Sequence, residues 1–279
     1  MRDTPPLVLT FAGTDPTGGA GLQADILTIA SLGCHPLSVV TAVTVQDSLG
    51  VADFLPIKAD WVADQARRVL EDMPVSAFKV GMLASPEVAL AVAEVVSDYP
   101  DLPLILDPVL ASGRGDELVT GDLLPVIKEA LLPQTTVLTP NSLEARQLAM
   151  DDALDEEPPE LAECARRLLD LGCEYVLITG SHEHTPQVVN TLYGESGVLQ
   201  ILRWERLPSS FHGSGCTLAS ALASMLAMGM ALPEAVREAQ AFTYQSLHSA
   251  FCPGMGQAIP DRLYWARTEG RWRQLSKPA

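Results

Sequence analysis

Positive charge is what this chain has little of, and lysine above all. Its 279 residues carry 18 basic against 35 acidic side chains, a net charge of −17, and lysine occurs only at positions 58, 79, 128 and 277. A surface this acidic repels phosphate backbones and anionic lipid, which sets nucleic acids and membranes aside as partners. Any phosphate chemistry here must find its positive charge elsewhere than in lysine. The five cysteines, at 34, 164, 173, 216 and 252, show neither the paired short spacings of a zinc site nor those of a disulfide framework. The longest nearly apolar run, residues 218–232, is 15 residues long and contains Ser and Gly, short of the roughly 20 that a membrane span needs. Near the start, the apolar stretch is too short for a signal peptide and is broken by Gly and Asp. A soluble protein of a reducing compartment, the cytoplasm, is expected. Two loop signatures are missing as well. No glycine loop carries the Lys of a Walker A motif, and none matches the G-x-G-x-x-G fingerprint, which sets aside an NAD-dependent oxidoreductase.

Apolar mass, in contrast, is plentiful: hydrophobic residues make up 47% of the chain, ample for a large core. Length alone would allow two domains of about 150 residues. One pattern of strand, loop and helix nevertheless runs through most of the sequence. Strands are predicted at residues 7–12, 36–45, 77–82, 104–106, 136–138 and 175–179, and helices at 22–32, 61–73, 86–96, 118–131 and 160–171. Residues 188–193 and 197–207 read as an antiparallel pair, followed by long helices at 216–228 and 233–251. The fold class is therefore α/β: a central, mostly parallel sheet between helices, in a single domain over residues 1–279. Such sheets carry their sites at the carboxyl ends of the strands. The stretch 151–163, with seven acids and no base, reads as a solvated loop and helix start.

Several residues at those strand ends have chemistry to offer. Phe211-His212-Gly213-Ser214-Gly215-Cys216-Thr217 leads directly into an apolar helix. Its glycines let backbone N–H groups turn inward, and a helix N-terminus adds about half a positive charge. Such a nest binds an anion without lysine; a plain turn capped by Ser214 is the blander reading. Cys216 would sit in the first helical turn, where a thiolate is stabilised and its pKa lowered, although buried cysteines are mostly inert. A second glycine loop, residues 13–21, suits close approach of backbone to a small flat ligand. Asp107 and Glu144 could hold a hydrated Mg²⁺ or merely cap a helix. Gln46 offers both a donor and an acceptor to the edge of a heterocycle. His182 and His184 lack a third ligand and read as loop residues.

Taken together, these segments resemble the hydroxymethylpyrimidine/phosphomethylpyrimidine kinases of thiamine biosynthesis. Residues 12–25 (AGTDPTGGAGLQAD) are similar to that family's opening motif, and Thr41-Ala-Val-Thr-Val-Gln46-Asp to its second strand end. Lys79-Val-Gly-Met82-Leu, Leu106-Asp107-Pro-Val109, the 112–118 loop, Leu138-Thr-Pro-Asn141 with Glu144, and His212-Gly-Ser-Gly-Cys216 follow in the family's order. The resemblance covers residues 7–250. It implies a ribokinase-like fold and two successive phosphoryl transfers from ATP, first to 4-amino-5-hydroxymethyl-2-methylpyrimidine and then to its monophosphate. It places Gln46, Gly13, Met82, Asp25 and Val109 at the pyrimidine. Asp107, Asn141, Glu144, Thr179 and Ser214 fall at the nucleotide, with Asp107 and Glu144 on Mg²⁺. Gly213, Gly215 and Cys216 fall at the transferring phosphoryl group, Cys216 as a general base. A homodimer is implied as well.

The chain departs from the family pattern at two points. Where the family usually has Lys-Gly-Gly-His, this sequence reads Thr179-Gly180-Ser181-His182, with no lysine between 129 and 276. Either the nest and Mg²⁺ suffice, or an arginine such as Arg114 takes over, or the second transfer is impaired. Gln46 is followed by Asp47-Ser48 rather than the usual Asn-Thr, a change expected to lie close to the pyrimidine. The competing readings are a pyridoxal kinase and a catalytically weak pyrimidine-binding protein; Gln46 with Met82 favours the aminopyrimidine.

Overall fold

The apolar runs become neighbouring strands of one sheet. The structure, a computed structural model, describes residues 4–110, 118, 122–151, 155 and 157–268. Strand β1 (Leu7–Gly13) is buried along its whole length, as a strand covered on both faces must be. It pairs in parallel with β2 (His35–Gln46) on one side and β4 (Val75–Val80) on the other. Parallel pairing continues through β5 (Leu104–Leu106), β6 (Val137–Leu138) and β7 (Tyr175–Ile178). Antiparallel strands close both edges: β3 (Val51–Pro56) beside β2, and β8 (Gln187–Gly194) with β9 (Gly197–Glu205) beyond β7. Among the described residues the sheet is nine-stranded, in the order β3-β2-β1-β4-β5-β6-β7-β8-β9.

Period-two alternation divides the core between two faces. Leu7, Leu9, Phe11, Phe78 and Leu106 pack with α2 (Ala59–Asp72), α3 (Pro86–Ser97), α5 (Ser142–Ala149) and α6 (Leu161–Asp170). Val8, Ile105, Val137 and Leu177 face the other way, into α1 (Gly21–Ser31), α7 (Ser214–Ala227) and α8 (Leu232–His248). Each such Val, Leu or Phe contributes about 1.5–3 kcal/mol by leaving water. Helices on both faces leave the carboxyl edge of the sheet as the place where loops gather.

Three local expectations need correction. Of the helix predicted at 118–131, residues 119–121 lie outside the described residues; among the described ones it begins with α4 (Leu124–Val126), passes through a wide π turn at Ile127–Leu131 and ends in a 3₁₀ turn at Leu132–Gln134. Pro125 and Pro133, which lack the N–H that a regular α-helix needs, sit at the starts of the first and last pieces. Strand β3 was not expected, because Asp53 and the short exposed run conceal it. Helix α5 was not expected either, although Asn141 and Glu144 form a capping box that announces it.

Candidate active site

The floor of the site is a buried ionic cluster. Thr10 of β1 and Lys79 of β4 are register partners, and both reach Asp25 of α1. Lys79 Nζ lies 3.0 Å from each Asp25 oxygen, while Thr10 Oγ1 (2.6 Å) and Ser220 Oγ of α7 (2.7 Å) donate to the same carboxylate. Burial alone would lower the Lys79 pKa, but Asp25 foremost, with Asp107, holds the ammonium above its ordinary value. The placement of Asp25 at the pyrimidine is thereby corrected. Its carboxylate is fully buried and engaged by Thr10, Lys79 and Ser220, and it lines neither of the cavities described below.

Above this floor the two glycine loops touch. Gly213, the N-cap of α7, has φ +83°, and a Cβ there would strike the carbonyl of Gly19. Gly21 has φ +58°, and its Cβ would strike the carbonyl of Gly13. Only glycine allows backbones so close in that conformation. Neither α1 nor α7 has a side-chain cap or an acidic residue in its first turn. Ser214 is thus the first residue of α7 and not its cap. The start of α7 is thereby open to an anion, whereas at the start of α1 the Asp15 carboxylate already takes the Ala20 N–H.

Cys216 lies between them. The Gly21 N–H and the Asp107 carboxyl group both lie close enough to its thiol to bear on its titration. Burial pushes the thiol up to about 12, with Lys79 opposing and Asp107 and Asp25 reinforcing. The expected lowering of this pKa is therefore reversed: the low dielectric and two neighbouring carboxylates outweigh the helix end.

Two carboxyl groups, Asp107 and Glu144, line the same cavity as the thiol. Burial raises Asp107 to about 6 against the pull of Lys79, whose Nζ is 4.0 Å from Oδ2. That Oδ2 is buried and has no hydrogen-bond partner. Glu144 is pushed up to about 8, first by burial and then by the charge of Asp107, while the Asn141 N–H opposes the shift. A buried oxygen without a hydrogen-bond partner and two carboxyl groups whose pKa values are raised by burial and mutual repulsion favour a bound cation, so the donor set fits Mg²⁺. No cluster of three or more His, Cys, Asp or Glu able to hold a metal exists among the described residues. Phosphate oxygens and water would complete the shell, as is usual for this ion.

These groups open on a cavity of 520 Å³. Gly213, Ser214, Gly215 and Cys216 line it together with Asp107, Asn141, Glu144 and Thr179. Gln46, Gly13, Met82 and Val109 line it too, so the structure gathers every expected site residue except Asp25. A Cβ at Gly13 would lie 3.0 Å from Met82 Sδ, so a larger residue there would press on the Met82 side chain. A second cavity of 380 Å³ shares Thr179, Ser214 and Gly215 with the first. Its wall includes Trp204, which stacks on Tyr244 at 4.9 Å.

Some residues escaped the sequence reading. The Asp15 carboxylate accepts from the N–H groups of Thr17 (2.8 Å) and Ala20 (2.6 Å) and lies 2.9 Å from His212 Nε2. Burial would raise its pKa, but His212 and these donors hold it down at about 2. Arg262 is buried and reaches both glycine loops. In place of the missing lysine, Thr179 leads into a loop held by Arg206, which donates to the carbonyls of Ser181, Glu183 and Thr185. Arg114 lies outside the described residues. Asp47 and Ser48 line neither cavity, contrary to expectation. Asp47 Oδ1 accepts the Leu49 N–H within the β2–β3 turn, and Ser48 O accepts the Gln257 N–H. No signal in the local sequence marks Arg262, because its partners lie more than 40 residues away.

The fold and this edge define a ribokinase-like small-molecule kinase, with an uncapped helix start opening on a cavity at the carboxyl edge of the sheet. The sequence pattern of the family described as phosphomethylpyrimidine kinase matches residues 15–261. The hydroxymethylpyrimidine/phosphomethylpyrimidine kinase of Streptomyces coelicolor is 41% identical over 257 residues, which span 91% of this chain and 93% of that one. Its counterpart in Escherichia coli K12 is 35% identical over 251 residues, 90% and 94% of the two chains. Among solved structures, pyridoxal kinase from Staphylococcus aureus in complex with AMP-PCP and pyridoxal is similar, with a TM-score of 0.83, 28% identity and coverage of 95% and 96%. Phosphomethylpyrimidine kinase from Clostridium difficile 630 has a TM-score of 0.73 and 30% identity, covering 87% of this chain and 99% of that one. This chain belongs to the phosphomethylpyrimidine kinase family.

Proposed function

We propose that the chain transfers the γ-phosphoryl group of ATP to the 5-hydroxymethyl oxygen of 4-amino-5-hydroxymethyl-2-methylpyrimidine. A second ATP then phosphorylates the monophosphate to the diphosphate. The observation that carries this reading is the meeting of Gln46 and the uncapped start of α7 in one cavity. An amide placed to read a heterocycle thus faces a phosphate nest. Family membership and the relatives' activities support the same acceptor.

In each transfer the acceptor oxygen forms a bond to Pγ while the bond from Pγ to the β-bridging oxygen breaks and ADP departs. The protein's task is alignment and charge neutralisation more than covalent chemistry. Gln46 orients the ring, with Gly13 and Met82 admitting its flat face. The first-turn N–H groups from Ser214 to Cys216 receive charge developing on the phosphoryl oxygens. Asp107 and Glu144 would hold Mg²⁺, which when bound neutralises phosphate charge. With a thiol pKa of about 12, Cys216 keeps its proton at neutral pH. We therefore assign it to shaping the hole between Gly21 and Asp107, with the hydroxyl proton leaving on a phosphoryl oxygen. Asn141, Thr179 and Ser214 are assigned to the nucleotide, whose base fits the second cavity beside Trp204.

Pyridoxal is the second acceptor to consider, since the pyridoxal kinase fold superimposes at a TM-score of 0.83. Specificity constants for both acceptors, measured with Mg-ATP, test the assignment. A preference for hydroxymethylpyrimidine is expected, and a preference for pyridoxal would reverse it. We place this activity in the cytoplasm, supported by the free state of all five cysteines. We also propose a homodimer, supported by exposed Val43, Val45 and Leu55 along the outer face of the β2–β3 ribbon.

A further inference from the structure

Arg262 stands one residue beyond the stretch that matches the family. It ends a strap that leaves α8, pairs Phe251 with Ile259, and sets Ala258 beside Phe211 just before the nest. At 2% exposure the guanidinium is shut away from water. Nη2 donates to the carbonyls of Gly19 (2.6 Å) and Gly213 (3.3 Å), and Nη1 to that of Gly18 (3.3 Å). Nε donates to Thr217 Oγ1 in the first turn of α7 (3.0 Å). One cation thus clasps both glycine loops and the helix they frame. A lysine, with a single donor head, could not span that set.

We infer that Arg262 is the positioning cation of the anion hole, acting through the backbone to aim its donors and to supply charge that position 179 does not. In a planar trans peptide the carbonyl of one residue and the N–H of the next point in opposite directions. The Gly213 carbonyl accepts the Thr217 N–H (3.0 Å) and the Thr217 hydroxyl (2.8 Å) as the first rung of α7, and Arg262 Nη2 at 3.3 Å, so Arg262 reinforces a peptide whose Ser214 N–H faces the other way, toward the cavity that Ser214 lines. Arg262 itself lines neither cavity, so it has no direct contact with substrate. Its charge sits in a dry interior, where screening is weak and the field at the nest correspondingly strong. Burial lowers its pKa to about 10, while Cys216, Asp25, Asp15 and Asp261 oppose that shift, and the group stays cationic at neutral pH.

The inference rests on the phosphotransfer reading and is tested by Arg262→Gln and Arg262→Lys. Positioning of a hole that fills only in the transition state predicts a loss in kcat with little change in KM. Arg262→Gln should lose about a hundredfold in kcat and Arg262→Lys about tenfold, each with both KM values inside about threefold of wild type. A kcat loss under about fivefold, or a KM rise that accounts for the loss, overturns the proposal; a purely structural role would lower the melting temperature without that split. Should Arg262→Gln not fold, Arg262→Lys decides by the same limits. If wild type prefers pyridoxal, the acceptor assignment fails and the comparison is made on pyridoxal. If wild type phosphorylates neither acceptor, the phosphotransfer reading fails, and calorimetry with inorganic phosphate judges Arg262 alone. There, Arg262→Gln weakening phosphate at least about fivefold supports the inference, and a smaller change overturns it.

Discussion

His212 Nε2 lies 2.9 Å from Asp15 Oδ2, and Asp15, with a pKa of about 2, is a carboxylate that can only accept. His212 Nε2 must therefore carry its proton. The Gln46 amide nitrogen lies 3.1 Å from the same nitrogen, and turning the amide end for end sets its carbonyl oxygen there to accept that N–H. This leaves the Gln46 NH₂ free to donate to a ring nitrogen. A glycine-loop acid, through a histidine, fixes which face of an amide the substrate meets.

His212→Ala releases that amide. Losing a hydrogen bond to a charged group costs about 1.5–3 kcal/mol, so the KM for the pyrimidine should rise about tenfold or more while the KM for ATP holds. Steady-state kinetics with each substrate varied in turn checks this. An unchanged pyrimidine KM would detach His212 from acceptor binding.

Lys79 and Asp25 define the stability of the floor. Removing one member of a fully buried pair strands the other and costs about 3–5 kcal/mol. Lys79→Met should show this loss in denaturant unfolding. A loss below about 1 kcal/mol would mean that Asp25 finds a new partner or takes up a proton without strain.

Cys216 separates two roles by simple replacement. Cys216→Ala should lower kcat at least about tenfold by emptying the space between Gly21 and Asp107. Cys216→Ser keeps one donor and one acceptor there and should retain most of the activity. Equal damage from both variants would restore the thiolate as general base.

How far the site could be read from the sequence depended on how local each signal is. Gly13, Gln46, Asp107 and the 212–216 segment end strands or begin a helix, so hydrophobic period and glycine placement located them. Asp25 was misplaced because a motif shows which residues go together but not which way they face. The thiol pKa was misjudged because a helix end can be read from sequence, whereas the burial that outweighs it cannot. Helix α5 was written in Asn141 and Glu144 but was passed over for their ligand chemistry. Arg262 and the strap behind it depend on contacts between distant segments, which no periodicity reveals.

The carboxyl pair predicts a dependence on pH and metal. Asp107 and Glu144 have pKa values of about 6 and 8, above their ordinary 3.8 and 4.5. Raised acids favour the folded state when protonated, so their contribution is complete below about pH 4 and is lost as pH rises through those values. The metal-free protein should lose stability between about pH 5 and 8.5, and Mg²⁺ should raise Tm more at the upper end of that range. Glu144→Gln should flatten both trends. A Mg²⁺ effect independent of pH would place the ion elsewhere.

The most direct test incubates the chain with Mg-ATP and hydroxymethylpyrimidine and follows the products by mass over time. The account predicts the monophosphate first and then the diphosphate, each step releasing one ADP. No phosphorylated pyrimidine, with ATP intact, would contradict it.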